Sequence, residues 1–220
     1  MKGKALVMVA IFLLAFLTGC FEKKDKEAPY IQLSIDGKES NGWYRTNVTI
    51  KIQAKDNQTK VKELKYRIDG ELWKDYVMPI KLKENGEHFF EYYATDKHGN
   101  KKYGNLTIKI DKIKPTLAFQ NFEAGYTYMW GEKKLTLRFP RDTMIIGKMS
   151  IIAIANDSLS GMQKVEFYLG DKLSKSVEKP PYEWQLPATI GVYNITAIAY
   201  DMAGNENSIT IPDVQFFILR

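Results

Sequence analysis

The chain repeats itself, and that constrains its architecture more than any single motif. Asp56 and Asp157 are matching points. An alanine stands two residues before each (Ala54, Ala155), and apolar side chains follow at +5, +8, +10 and +12. These are Val61, Leu64, Tyr66 and Ile68 in one copy, and Met162, Val165, Phe167 and Leu169 in the other. A second pair of points is Asp96 and Asp201. Each has glycine at −10 (Gly86, Gly191), alanine at −2 (Ala94, Ala199), then Gly99-Asn100 or Gly204-Asn205. Each copy opens on a proline, Pro29 or Pro115. Agreement at so many offsets marks two units built to one plan.

The units read as strands. Val48, Ile50, Ile52 and Ala54 alternate with polar residues, as do Phe90, Tyr92 and Ala94, and Ile195, Ala197 and Ala199. Period-2 runs with turn signals every ten or so residues predict an antiparallel sandwich. The runs Asp-Lys-His-Gly-Asn (96–100) and Asp-Met-Ala-Gly-Asn (201–205) supply hairpin chemistry. Thirteen tyrosines and eleven phenylalanines favour strands further. One cysteine, Cys20, rules out an intrachain disulfide framework, so stability must come from ordinary cores. The fold expected is all-β, two tandem sandwiches at 29–112 and 113–220.

A resemblance sharpens this expectation. The run from Tyr66 to Tyr76, then Gly86 to Asn100, then Ile110 to Thr116, resembles the repeat of bacterial and archaeal surface Ig-like domains, including the OmpL47-type repeats. In the second copy Val165 to Tyr168, Pro181 to Trp184 and Ala199 to Asn205 resemble Ig-like modules appended to secreted carbohydrate-active enzymes. The resemblance implies immunoglobulin-like sandwiches. It implies no single activity, since such modules serve as spacers, adhesins and binding units.

The N-terminus sets an address. Lys2 and Lys4 precede an apolar run from Ala5 to Leu17, shorter than the ~20 residues of a membrane-spanning helix. The run closes on Leu17, Thr18, Gly19 and Cys20, which resemble the lipobox of a prokaryotic lipoprotein signal peptide. The resemblance implies that residues 1–19 are removed and that Cys20 carries a lipid. Residues 20–28 then form a charged tether, and the rest is extracytoplasmic and held at the membrane. The alternative is an uncleaved N-terminal anchor, with the same outward orientation.

The copies differ at one place. Pro29 to Asp56 spans 27 residues and Pro115 to Asp157 spans 42, so the second unit has about fifteen extra residues within 121–148. There Tyr126, Tyr128 and Trp130 fall at i, i+2 and i+4, one face of a strand. Such a face is a candidate platform for sugar rings or a partner; it would equally cover the sandwich edge. Trp73, Tyr76, Tyr182 and Trp184 read as core or edge packing, and His88 and His98 as solvent-facing.

Carboxylates give a second candidate. Strand ends at one pole would gather Asp56, Asp96 and Asn100 in the first unit, and Asp157, Asp201 and Asn205 in the second. Oxygen donors of this kind suit Ca²⁺; the same residues also serve as turn caps. Five Asn-x-Ser/Thr sequons, at Asn47, Asn57, Asn105, Asn156 and Asn194, are candidate glycosylation acceptors. Nucleophile elbows, metalloprotease helices and phosphate or dinucleotide loops are absent from the sequence, so no enzyme is expected. Losing Lys2 and Lys4 with the leader would lower the formal net charge of +6 by two, a mild, unclustered excess that does not point to nucleic acid. The reading is a lipid-anchored binding, adhesion or spacer protein, with envelope polysaccharide or another surface protein as partner. The alternative is an accessory polysaccharide-binding subunit of a secreted hydrolase or transport complex.

Overall fold

The computed structural model describes residues 25–136 and 143–219. The leader and the lipobox residues Leu17, Thr18, Gly19 and Cys20 lie outside the described residues. Domain 1 comprises β1 (Tyr30–Asp36), β2 (Glu39–Ser40), β3 (Trp43–Tyr44), β4 (Val48–Lys55), β5 (Val61–Ile68), β6 (Lys74–Asp75), β7 (Ile80–Leu82), β8 (Gly86–Asp96) and β9 (Lys101–Ile110). The sheet β1-β4-β7 faces the sheet β2-β3-β9-β8-β5-β6.

Domain 2 repeats the plan. It comprises β10 (Thr116–Phe119), β11 (Tyr126–Met129), β12 (Glu132–Thr136), β13 (Thr143–Ile146), β14 (Ser150–Asn156), β15 (Met162–Leu169), β16 (Lys172–Val177), β17 (Tyr182–Gln185), β18 (Thr189–Asp201) and β19 (Glu206–Ile218). The sheet β10-β14-β17 faces β12-β11-β13-β19-β18-β15-β16. The extra residues therefore build the hairpin β11–β12 on the edge of the larger sheet.

Alternation places the cores. Val48, Ile50 and Ile52 turn inward on β4, and Phe90 and Ala94 on β8, all at most 3% exposed. Ile195, Ala197 and Ala199 on β18 are fully buried. Among the described residues the domain 1 core draws on Ile31 to Ile110 and the domain 2 core on Leu117 to Ile218, so neither shares side chains with the other. Burying such side chains stabilises a domain by ~1.5–3 kcal/mol each. Tyr182 and Trp184 lie in the second core, Trp184 stacking on Phe167 at 5.6 Å and donating from Nε1 to Ser174 Oγ at 3.1 Å. Tyr76 accepts a hydrogen bond at its hydroxyl from the Ile52 amide. His88 departs from expectation. It is half-buried, its ring nitrogens 2.9 Å from Asp69 Oδ2 and 3.1 Å from Glu84 O.

The sheets are mixed, not purely antiparallel. β3 pairs parallel with β9, and β13 runs parallel to both β11 and β19. In each domain the chain crosses from the small sheet to the large one before returning, which sets β3 or β13 beside the last strand and parallel to it.

Candidate functional site

Asp111 sits where β9 ends and the second domain begins. It is fully buried. Its amide donates to Tyr44 O on domain 1. Its Oδ2 accepts from the Ser160 amide at 3.1 Å, its Oδ1 from the Ile113 amide at 2.9 Å, and its carbonyl from Asn205 Nδ2 at 3.0 Å. Ser160 and Asn205 belong to domain 2, so one residue ties both domains, through its backbone to Tyr44 and Asn205 and through its side chain to Ser160. Around it, Arg45 Nη1 donates to Gly204 O at 2.6 Å and Asn41 Nδ2 to Met202 O at 3.0 Å. Domain 1 thus grips the loop between β18 and β19.

The same constellation recurs at the other pole of domain 1. Asp25 is buried, 86 positions before Asp111. Its Oδ2 accepts from Thr59 Oγ1 at 3.2 Å, its Oδ1 from the Glu27 amide, and its carbonyl from Asn100 Nδ2 at 3.0 Å. Thr59 stands where Ser160 stands, and Asn100 where Asn205 stands. The signal in the sequence is Asp-Lys-x-x-Pro, at 25–29 and again at 111–115.

The structure brings the expected carboxylates to these two poles. Oxygens of Asp111, Asp157 and Asp201 lie within 4.8 Å of one another, as do ligand atoms of Asp25, Asp96 and His98. These are donors that a hard cation takes. Each expected aspartate also has a partner in the protein itself. Asp56 Oδ1 accepts from the Gln58 and Thr59 amides, and Asp157 Oδ1 from those of Leu159 and Gly161. Asp96 and Asp201 each accept from the amide and the side chain of the asparagine four residues on. Asn100 and Asn205 do not offer oxygen to the clusters. Their amide nitrogens point there, because each donates both to a carboxylate and to the carbonyl of Asp25 or Asp111.

The two poles differ electrostatically. Burial pushes the Asp96 carboxyl up, but hydrogen bonds from the Asn100 side chain and from the Asn100, His98 and Gly99 amides outweigh it, and its pKa is lowered. Burial pushes Asp201 up as well. Asn205 opposes it, Asp111 and Asp157 add repulsion, and the pKa is raised.

The aromatic triad does not form one open face. Tyr126 and Tyr128 share the face of β11 that turns onto the domain 2 core, and the register shift beside them puts its extra residue on β12. Tyr128 is therefore buried, 1% exposed, beside Phe122 at 5.2 Å, its hydroxyl donating to Glu123 O. Tyr126 is half-buried, with the Lys133 ammonium 3.5 Å above its ring. Only Trp130 is open, at 68%. It forms the tight turn of β11–β12 with Gly131, at φ 50° and 82°. The turns Asn41-Gly42 and Asp69-Gly70 share these angles with the residues such turns favour. A tryptophan in left-handed backbone is unusual and costs about 1–3 kcal/mol. Its indole lies on Gly147, where a Cβ would come within 2.7 Å. Trp130, Ile146, Lys148, Phe217 and Leu219 line an open recess of about 360 Å³. Asn47, Asn57, Asn105, Asn156 and Asn194 are all exposed.

A model of the bacterial Ig domain matches residues 135–197. No curated protein matches the chain in sequence. Among solved structures, the chain is similar to fibronectin(III)-like modules of Clostridium thermocellum CbhA. The identity is 17%, over 86% of this chain and 94% of that one, with a TM-score of 0.47. It is also similar to three N-terminal domains of the Hoc capsid protein of bacteriophage RB49, at 12% identity over 87% and 71%, with a TM-score of 0.45. Carbohydrate-binding modules of the β-sandwich superfamily align at 12% identity over 86% of each chain, with a TM-score of 0.36. The fold is an all-β tandem of Ig-like sandwiches, with a bacterial Ig domain matched in the second.

Proposed function

We propose that this chain is a non-enzymatic, extracytoplasmic spacer and binding module, anchored to the membrane by a lipid on Cys20. The observation that carries the spacer reading is the bonded junction. Asp111, Asn205, Ser160, Arg45 and Asn41 hold the two sandwiches end to end, where a loose linker would let them move independently. A stiff pair of this kind keeps its outer end away from the bilayer. Cys20→Ser tests the anchor. The expected result is loss of processing and release of the protein from the membrane fraction; a variant that stays processed and membrane-bound contradicts the reading.

A second reading concerns the outer end, where Trp130 favours polysaccharide binding. Its indole lies against Gly147 and is 68% exposed, and exposed aromatic rings offer large apolar area for stacking. Trp130→Ala then abolishes binding on a glycan array while leaving the melting temperature within a few degrees. Glycan binding unaffected by the substitution, or none with the parent chain, removes this reading and leaves the spacer.

A further inference from the structure

The loops that close the proximal pole of domain 1 have exact counterparts in domain 2, and the two sets differ in charge. At the domain 1 pole three segments converge. The β4–β5 and β8–β9 loops meet the segment at Asp25 through Thr59 and Asn100. Lys55 pairs across from Tyr30 at the mouth of this pole, Lys60 precedes Val61, which pairs with Asp96, and Lys97 follows Asp96. Lys26, Lys55, Lys60, Lys97 and His98 are all exposed. Among the described residues, none of these four lysines forms an ion pair. Acidic groups at the pole are set back. Asp25 and Asp96 are buried, Asp56 is half-buried and turned onto the Gln58 and Thr59 amides, and Glu27 is the exposed one.

In domain 2 the matching positions of the same loops hold Asn156, Gly161, Met202 and Ala203. That pole faces protein, with Met202 and Gly204 gripped by Asn41 and Arg45. Lys112, the counterpart of Lys26, donates to Lys83 O and Asn47 Oδ1 of domain 1. One loop set thus carries neutral residues where it meets a protein domain, and lysines where it points back along the chain toward Cys20.

We propose that this lysine-rimmed pole is a contact surface for the anionic phospholipid headgroups of the membrane that bears the anchor. The proposal rests on the reading of Cys20 as the lipidated residue. Asp25 is bonded into domain 1, and it follows Cys20 by only five positions, a separation of at most about 17 Å. That reach holds the pole within one or two Debye lengths of the headgroups, near enough for lysines to be attracted. The contact would orient the rod on the bilayer, which a single lipid attachment point does not do.

The test uses the chain from residue 20 onward with Cys20→Ser, which retains both cores as described and carries no lipid. Cosedimentation is measured with phosphatidylcholine vesicles and with vesicles containing roughly one third phosphatidylglycerol. The expected result is binding to the anionic vesicles only, reversed at about 0.5 M salt. The triple variant Lys55→Gln, Lys60→Gln, Lys97→Gln lowers it on the order of 100-fold, at about fivefold per lysine. A matched variant on domain 2, Lys172→Gln, Lys175→Gln, Lys179→Gln, keeps it. No binding to anionic vesicles, equal binding to both kinds, or equal loss in the two variants overturns the proposal. Melting temperatures of both variants establish that they fold. Failure here leaves the lipid anchor standing, because fractionation of Cys20→Ser in cells reads the anchor separately.

Discussion

Phe90→Ala lowers the melting temperature of domain 1 on the order of 15–30 °C and leaves domain 2 close to its original value. Phe90 is fully buried between the sheets, with Tyr66 at 6.0 Å and Tyr92 at 5.9 Å between ring centroids. Truncating such a ring costs about 3–5 kcal/mol, and a domain of this size loses ~4–8 °C per kcal/mol. Phe167→Ala is the mirror experiment. It stacks on Trp184 in the other core, so its loss moves the second transition and spares the first. Scanning calorimetry on the two variants checks both. A single transition displaced equally by either substitution would mean that the cores are not independent.

The repeat made much of this legible. Offsets from Asp56 and Asp157 place inward residues correctly because strand alternation is a local property: Val165 and Phe167 are fully buried on β15, and Leu64 and Tyr66 pack on the domain 1 core from β5. What stayed hidden was non-local or broke the local rule. The parallel pairing of β3 with β9 joins residues more than sixty positions apart, and nothing in either segment announces it. The face expected from Tyr126, Tyr128 and Trp130 assumed an unbroken strand. Tyr126 and Tyr128 do share a face, but it packs on the core, and a left-handed tryptophan ends the strand beyond them, where turn chemistry favours Asn or Asp. Asp25 and Asp111 were within reach. Carrying the offsets back from Pro29 and Pro115 finds an aspartate four residues before each, but a charged residue in a tether reads as solvated until its partners Thr59, Ser160, Asn100 and Asn205 are seen.

The junction supplies the second large effect. Asp111→Ala removes the acceptor for the Ser160 and Ile113 amides, and a hydrogen bond to a charged group contributes about 1.5–3 kcal/mol. The backbone bonds from Asn205 to the residue-111 carbonyl, and from its amide to Tyr44 O, remain. Combining Asp111→Ala with Arg45→Ala also removes the guanidinium contact to Gly204 O. The two cores stay folded, because neither substitution touches them. What is lost is the fixed angle between the domains, and with it the function of a spacer.

Small-angle X-ray scattering on the parent chain from residue 20 onward and on Asp111→Ala, Arg45→Ala reads that angle directly. The parent is expected to give a single narrow distribution of distances extending to about 60–80 Å, the span of two sandwiches end to end. The double variant is expected to give a broader distribution with a shorter mean, while circular dichroism still reports two folded β domains. A parent chain as broad as the variant, or a variant as narrow as the parent, contradicts the account of Asp111 as the residue that makes two domains one rod.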